Sequence, residues 1–191
     1  MIEIEKCFSS PIGIVTNKKD YELTDYCLQM MSTIKSGGQD WLSKPYTTNG
    51  TYNILKDSKF KELNTWVENS VEEFTNACGW AKTSPSEGWF NIYKKDDCQE
   101  FHIHKHRHFS CIYYLDTQEN DSKTIFNRSP MPMIHYSVNQ SNVINCEHIS
   151  FKPVKGILLI FKSDTMHMVE QKKTDDVRIT VSYNFKEDIA N

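Results

Sequence analysis

At Gly88 the apolar pattern of this chain changes period, and that change limits the folds open to it. Before it, apolar residues recur every three or four positions. After it, short runs rich in tyrosine, isoleucine, valine and threonine alternate with turn signals. These runs cover residues 89–94, 100–104, 109–116, 123–127, 134–138, 148–151, 156–161, 166–171 and 177–186. Many short strands of this kind build a sandwich or barrel such as a jelly roll. The stretch 129–145 is mostly polar and carries Pro130 and Pro132, so 134–138 is the least strand-like run. That stretch reads equally as a flap over a site and as a long surface excursion. The expected fold is mainly β with N-terminal helices.

The helical part is short. Ile2, Ile4 and Phe8 alternate as a brief strand that Pro11 and Gly13 interrupt. Leu23, Cys27, Met30 and Ile34 then form one face of a helix, with Asn17 as its N-cap, Asp20 in its first turn and Gly37-Gly38 at its end. A polar loop with Trp41, Pro45 and Asn49-Gly50 follows. Phe60, Leu63, Val67, Val71, Phe74 and Cys78 mark a second helix, capped by Asp57 or Ser58 and stopped by Gly79. Stripes like these are expected to pack on the protein's own sheet.

The chain has 191 residues, a length suited to one domain over 1–191, with a helical part (1–88) and a jelly-roll core (89–187). A formal charge of −3 gives no electrostatic reason to expect nucleic acid, and no apolar run approaches membrane-spanning length. The opening Met-Ile-Glu-Ile-Glu-Lys lacks the basic-then-apolar order of a signal peptide. Cys7, Cys27, Cys78, Cys98, Cys111 and Cys146 include no Cys-x-x-Cys pair, which argues against a zinc ribbon and for reduced thiols in a cytoplasmic protein.

Four histidines, His102, His104, His106 and His108, fall in one stretch. Side chains two apart on an extended chain share a face, so His102 and His104 aim two imidazoles at one point, with Phe101 and Ile103 turned away. Neutral imidazole binds iron, zinc, copper or nickel. His106 lies between Lys105 and Arg107, where cationic neighbours disfavour a metal, and reads as a solvated loop residue. His108 is open between a supporting role and a substrate contact. A third ligand is expected at His167, which follows a buried strand and a polar turn. His135 and His148 read as structural or exposed.

The pieces Trp89-Phe-Asn-Ile-Tyr93, Gln99-Glu-Phe-His-Ile-His104, Phe109-Ser-Cys-Ile-Tyr-Tyr-Leu115, Gly156 to His167 and Arg178-Ile-Thr-Val-Ser-Tyr-Asn184 occur in that order. In this order the chain resembles the iron(II)- and 2-oxoglutarate-dependent oxygenases, in particular a small oxygenase family often carried by bacteriophages, with a barrel similar to that of prolyl hydroxylases. The resemblance implies a double-stranded β-helix (jelly roll, cupin-like) with helices packed on one sheet. It further implies Fe(II), 2-oxoglutarate as cosubstrate, O2, and hydroxylation of a small-molecule or macromolecular substrate.

It also assigns roles. His102, His104 and His167 would hold the metal. Arg178 would take the far carboxylate of 2-oxoglutarate, for which a guanidinium is suited. Tyr114 would reach the same carboxylate, Thr180 and Ser182 would add hydroxyls from Arg178's strand face, and Asn91 and Tyr93 would contact cosubstrate or substrate. The wider superfamily usually carries a carboxylate where this chain has His104, so a site in which only His102 and His167 bind the metal stays open. The bland reading of Arg178 is a surface ion pair with Asp175 or Asp176. Two other functions stay open as well: a cupin-type metalloenzyme that does not use 2-oxoglutarate, and a binding module that has lost catalysis.

Overall fold

A computed structural model describes residues 2–4, 10–128 and 137–188 of the chain. The strands are β1 (Gly13–Thr16), β2 (Tyr46–Thr47), β3 (Thr83–Tyr93), β4 (Gln99–His102), β5 (Phe109–Asp116), β6 (Thr124–Asn127), β7 (His148–Phe151), β8 (Ile157–Lys162), β9 (His167–Val169) and β10 (Arg178–Glu187). The helices are α1 (Thr24–Met30) and α2 (Lys61–Ala77). The strands form two antiparallel sheets, in the orders β1-β8-β5-β10-β3-β2 and β4-β9-β6-β7. This is the expected mainly β, jelly-roll architecture.

Period-two alternation sorts the large sheet into two faces. Cys111, Tyr113, Leu115, Val181, Tyr183 and Phe185 face the helices. There they meet Leu63, Val67 and Val71 of α2, all fully buried. Burying each such side chain is worth roughly 1.5–3 kcal/mol. The Tyr183 hydroxyl donates to Asn64 Oδ1 of α2 at 2.9 Å. Ile112, Tyr114, Leu159 and Phe161 face the small sheet and pack with Phe126. β5 and β10 are both covered on two faces; β5 reads as an almost unbroken apolar run, whereas β10 alternates apolar residues toward the helices with Arg178, Thr180, Ser182 and Asn184 on the other face.

The N-terminal expectations need correction. Residues 2–4 lie in no strand, Phe8 falls outside the described residues, and the first strand is Gly13–Thr16, paired with β8. Asn17 does not cap a helix. Its Oδ1 accepts from the Lys19 amide in a local turn, and α1 begins after Leu23 with no side-chain cap. The helix also ends at Met30, before Ile34. Gly37 is needed for a close backbone approach instead, since a Cβ there would lie 1.8 Å from the Asn49 carbonyl oxygen. The second helix matches its stripe, but a short 3-10 turn over Ser58–Phe60, capped by Asp57, leads into it.

β3 starts at Thr83, well before the expected residue 89. Ser84, Pro85 and Ser86 look like loop, yet β10 changes register between Asn184 and Phe185, so Ser86 becomes the extra residue of a bulge beside Pro85. The expected strand 134–138 lies mostly outside the described residues, and Ser137 and Val138 are not in a strand.

Candidate metal centre and cosubstrate pocket

The register of the large sheet lays out the site. Residues facing the small sheet sit in rungs across β3, β10 and β5. Tyr93 stands opposite Arg178, then Asn91–Thr180–Tyr114, then Trp89–Ser182–Ile112, then Glu87–Asn184–Ser110. Alternate residues of β10 thus run from Arg178 at one end of a cavity to Asn184 at the other. The cavity has a volume of about 270 Å³.

At the Asn184 end three imidazoles converge. His102 closes β4 and stands directly opposite His167, which opens β9. His104 lies beyond the end of β4, so strand alternation alone does not aim it. Its backbone amide donates to the Ser163 carbonyl at 2.8 Å, which holds the chain extended past the strand. Ring centroids are 4.2 Å apart for His102 and His167, and 5.2 Å for His104 with each of the others. One potential ligand atom from each of the three lies within 4.8 Å of the others, an arrangement that can hold a metal ion.

The ring nitrogens are sorted by their partners. His102 Nδ1 meets the Glu100 carbonyl at 2.7 Å, and His167 Nδ1 meets the Thr165 carbonyl at 2.9 Å. Carbonyls only accept, so both Nδ1 atoms carry the proton and both Nε2 atoms keep a lone pair. His104 Nδ1 meets Asn184 Oδ1 at 2.6 Å. The amide orientation is fixed because Asn184 Nδ2 donates to Glu87 Oε2 at 3.0 Å, and Glu87 is itself ion-paired with Arg107. Ser110 Oγ adds contacts to His104 Nδ1, Asn184 Oδ1 and Ser163 Oγ. All three rings therefore present Nε2.

Burial keeps these rings neutral. It lowers the His102 pKa, pulls His104 down to about 4, and holds His167 well below the ordinary range, where His102 and His104 depress it further. Three neutral imidazoles suit a borderline metal such as iron(II). The donor set fits that ion.

At the other end Arg178 is fully buried. Nη1 donates to the Ser122 carbonyl at 2.6 Å and to Ser122 Oγ at 3.2 Å, and Nη2 donates to Thr124 Oγ1 at 3.3 Å. The guanidinium carbon lies 5.2 Å from the Tyr93 ring centroid and 5.3 Å from that of Tyr114. Nε has no partner, and no carboxylate pairs with Arg178 among the described residues. Asp175 pairs with Lys95 and Asp176 with Lys172, so the surface ion-pair reading of Arg178 is set aside. A buried cation without an anion fits a carboxylate ligand.

Tyr93, Asn91, Thr180 and Ser182 line the cavity. Asn91 Nδ2 reaches the hydroxyls of Thr180 and Ser182 at 3.3 Å each, and Asn91 Oδ1 accepts from Thr47 at 2.7 Å. Tyr114 does not line the cavity; it lies behind Arg178 and its hydroxyl donates to Thr124 at 2.8 Å. His106 is exposed with φ +61°, His108 is exposed, with Nδ1 accepting from the Glu187 amide, and His148 is exposed. His135 lies outside the described residues. Sequence reasoning missed Asn184, Ser110, Ser122 and Thr124. Only Asn184 had a signal, as the next residue in the alternation 178, 180, 182.

A family model described as "Putative 2OG-Fe(II) oxygenase" (2OG, 2-oxoglutarate) matches residues 87–184, just over half of the chain. No curated protein matches the chain in sequence. Among solved structures, the chain is similar to a prolyl-4-hydroxylase from Pseudomonas putida, at TM-score 0.64 and 12% identity over 94% of each chain. It is also similar to a Trichoplax adhaerens prolyl hydroxylase bound to a hypoxia-inducible-factor peptide, at TM-score 0.68 and 13% identity, covering 92% of this chain and 83% of that one. HygX from Streptomyces hygroscopicus, with nickel, 2-oxoglutarate and hygromycin B bound, gives 0.59 and 9%, covering 94% and 84%. At these identities the likeness establishes the fold.

Proposed function

The chain belongs to the 2OG-Fe(II) oxygenase family, and from that premise we propose that His102, His104 and His167 hold iron(II) while Arg178 receives the far carboxylate of 2-oxoglutarate. It is an Fe(II)- and 2-oxoglutarate-dependent dioxygenase, which sets aside a cupin-type enzyme without 2-oxoglutarate and a non-catalytic module. One observation carries the residue assignment: three Nε2-presenting imidazoles share a cavity with a buried guanidinium that has no anionic partner among the described residues.

When bound, iron(II) with O2 couples decarboxylation of 2-oxoglutarate, to succinate and carbon dioxide, with hydroxylation of a substrate carbon. The protein's own residues do the rest. The Glu100 and Thr165 carbonyls and Asn184 fix the three rings in one tautomer, so no proton has to leave Nε2 before the metal binds. Tyr93 and Tyr114 flank the guanidinium and hold its plane. Thr180 and Ser182 offer hydroxyls between the two ends. Trp89, packed against His104 with centroids 5.7 Å apart, walls the site against water.

Anaerobic calorimetry tests the assignment. Wild-type protein is expected to bind Fe(II) and then 2-oxoglutarate. His102→Ala and His167→Ala are expected to lose both, and Arg178→Met to keep iron but lose 2-oxoglutarate. Unchanged 2-oxoglutarate affinity in Arg178→Met would remove Arg178 from the pocket.

Two finer expectations accompany this reading. Cys27, Cys78, Cys98, Cys111 and Cys146 are free, which supports a cytoplasmic location, testable by cell fractionation. No helix among the described residues is long and apolar enough to cross a membrane. Carriage by a bacteriophage rests on the sequence resemblance alone, and the genes flanking this one would test it.

A further inference from the structure

Lys172 is a buried cation that the proposed chemistry does not use. Its side chain and that of Asp121 are both 0% exposed, with Nζ 3.1 Å from Asp121 Oδ1. Nζ also donates to Asp176 Oδ1 at 3.0 Å and to Thr174 Oγ1 at 2.5 Å. The backbone of Lys172 is pinned on both sides, its amide donating to the Asp97 carbonyl and its carbonyl accepting from the Asp96 amide, each at 2.8 Å. Lys172 thus ties together the turn after β3, through its backbone, and the segment before β6 and the turn that leads into Arg178, through its ammonium.

Removing two charges from water is costly, and a buried ion pair is seldom retained for stability alone, since apolar residues of similar volume often do as well. What such a pair supplies is a defined geometry, and here that geometry leads to the cosubstrate pocket. The same Asp121 Oδ1 that meets Lys172 accepts from the Ser122 amide at 2.8 Å. The Ser122 carbonyl and hydroxyl then take up Nη1 of Arg178. With Nη1 occupied, among the described residues Nε is without a partner and Nη2 has only the longer bond to Thr124. Nε and Nη2 form the side edge of the guanidinium, the fork that meets a carboxylate through two parallel bonds.

The geometry points to Lys172 as a positioning residue. Through Asp121 and Ser122 it fixes which edge of Arg178 is tied to the protein and which edge is left for the 2-oxoglutarate carboxylate. The inference rests on the assignment of Arg178 proposed above.

The test measures two affinities on Mn(II)-loaded protein, so that no turnover occurs: Mn(II) alone, then 2-oxoglutarate. Lys172→Met and Asp121→Asn are expected to weaken 2-oxoglutarate binding about tenfold or more, the scale on which losing an outer-shell partner weakens a metal site. Mn(II) affinity should stay within about twofold, and Lys172→Arg should recover part of the loss. A merely structural role would lower thermal stability and leave the affinity of the folded protein unchanged. Folded Lys172→Met and Asp121→Asn proteins with wild-type 2-oxoglutarate affinity would overturn the proposal. So would failure of both to fold, which would assign the pair to the fold. Arg178→Met separates the two claims. If it keeps wild-type affinity, the Arg178 assignment fails. If it loses affinity while the Lys172 and Asp121 variants keep theirs, only the positioning role fails.

Discussion

His102 and His167 face each other across the β4–β9 pair, and each donates its Nδ1 proton to the carbonyl two residues before it. The tautomer of both rings is therefore set by the backbone, and no neighbouring side chain has to be present for it. His104 differs. Its Nδ1 partner is a side chain, Asn184, whose amide is locked by Glu87 with the oxygen toward the ring.

That lock predicts the outcome of restoring the superfamily carboxylate. In His104→Asp the new carboxylate would face the Asn184 oxygen, and Glu87 opposes the amide flip that would relieve the repulsion. The added negative charge would otherwise favour a cation, yet iron(II) affinity is expected to fall about tenfold or more. Asn184→Ala in the wild-type background should cost affinity on the order of 10–100-fold. Metal titration of both variants checks this, and tighter iron binding in His104→Asp would show that the Asn184 lock does not govern the site.

Gly156 carries a stability prediction. Its φ of +86° lies in the left-handed region, and a Cβ there would fall 2.3 Å from the Asn17 carbonyl oxygen. The Asn17 amide in turn donates to the Gly156 carbonyl at 2.8 Å, just beyond the β1–β8 pair. Gly156→Ala is expected to destabilise by about 2–3 kcal/mol or more, combining backbone strain with a backbone clash that no rotamer relieves. Denaturant unfolding measures it; a loss under about 0.5 kcal/mol would show that the turn gives way.

The metal-free protein should weaken in mild acid. In the unfolded chain the three histidines titrate near 6.5, whereas burial holds His104 near 4 and lowers the other two. Between those values the unfolded state takes up protons that the folded state refuses, so stability falls as pH drops from about 6.5 toward 4. For His104 alone the loss is on the order of 3 kcal/mol. Melting temperatures of apoprotein across this range test it, with His104→Gln expected to show a shallower decline. A flat profile would mean that the rings are more hydrated than their burial implies.

Some of this site was legible in the sequence for a definite reason. Strand period alone brings Arg178, Thr180 and Ser182 to one face, and His102-x-His104 is a local pair as well, although past the end of β4 the His104 amide needs its bond to the Ser163 carbonyl to stay in line. Asn184 continues the β10 alternation, but its partner His104 is set by cross-strand placement, and Ser110, Ser122 and Thr124 are set by register and loop placement, which residue types do not reveal. The long start of β3 was hidden because Pro85 and its serines are tolerated only beside a bulge that β10 creates. Asn17 and Gly37 looked like helix ends, whereas one forms a local turn and the other permits a backbone crossing.

Glu100 joins the histidine cluster to the cavity wall. Its carbonyl orients His102, while its carboxylate accepts from the Leu42 amide at 2.9 Å, the Ser43 amide at 3.3 Å, the Ser43 hydroxyl and Gln99 Nε2. Leu42 and Ser43 follow Trp41, which lines the cavity and packs on Gly38. In Glu100→Ala the carbonyl remains, so iron affinity should stay within about threefold, well inside the loss expected when a supporting contact goes. The loop, however, loses acceptors for two backbone amides and a hydroxyl, worth about 0.5–1.5 kcal/mol each. Cleavage by chymotrypsin after Leu42, which is 87% exposed, is then expected to speed up several-fold, because proteolysis tracks local opening. Unchanged cleavage would place the hold on this loop elsewhere, in the Trp41–Gly38 contact, and Gly38→Ala would then be the variant that loosens it.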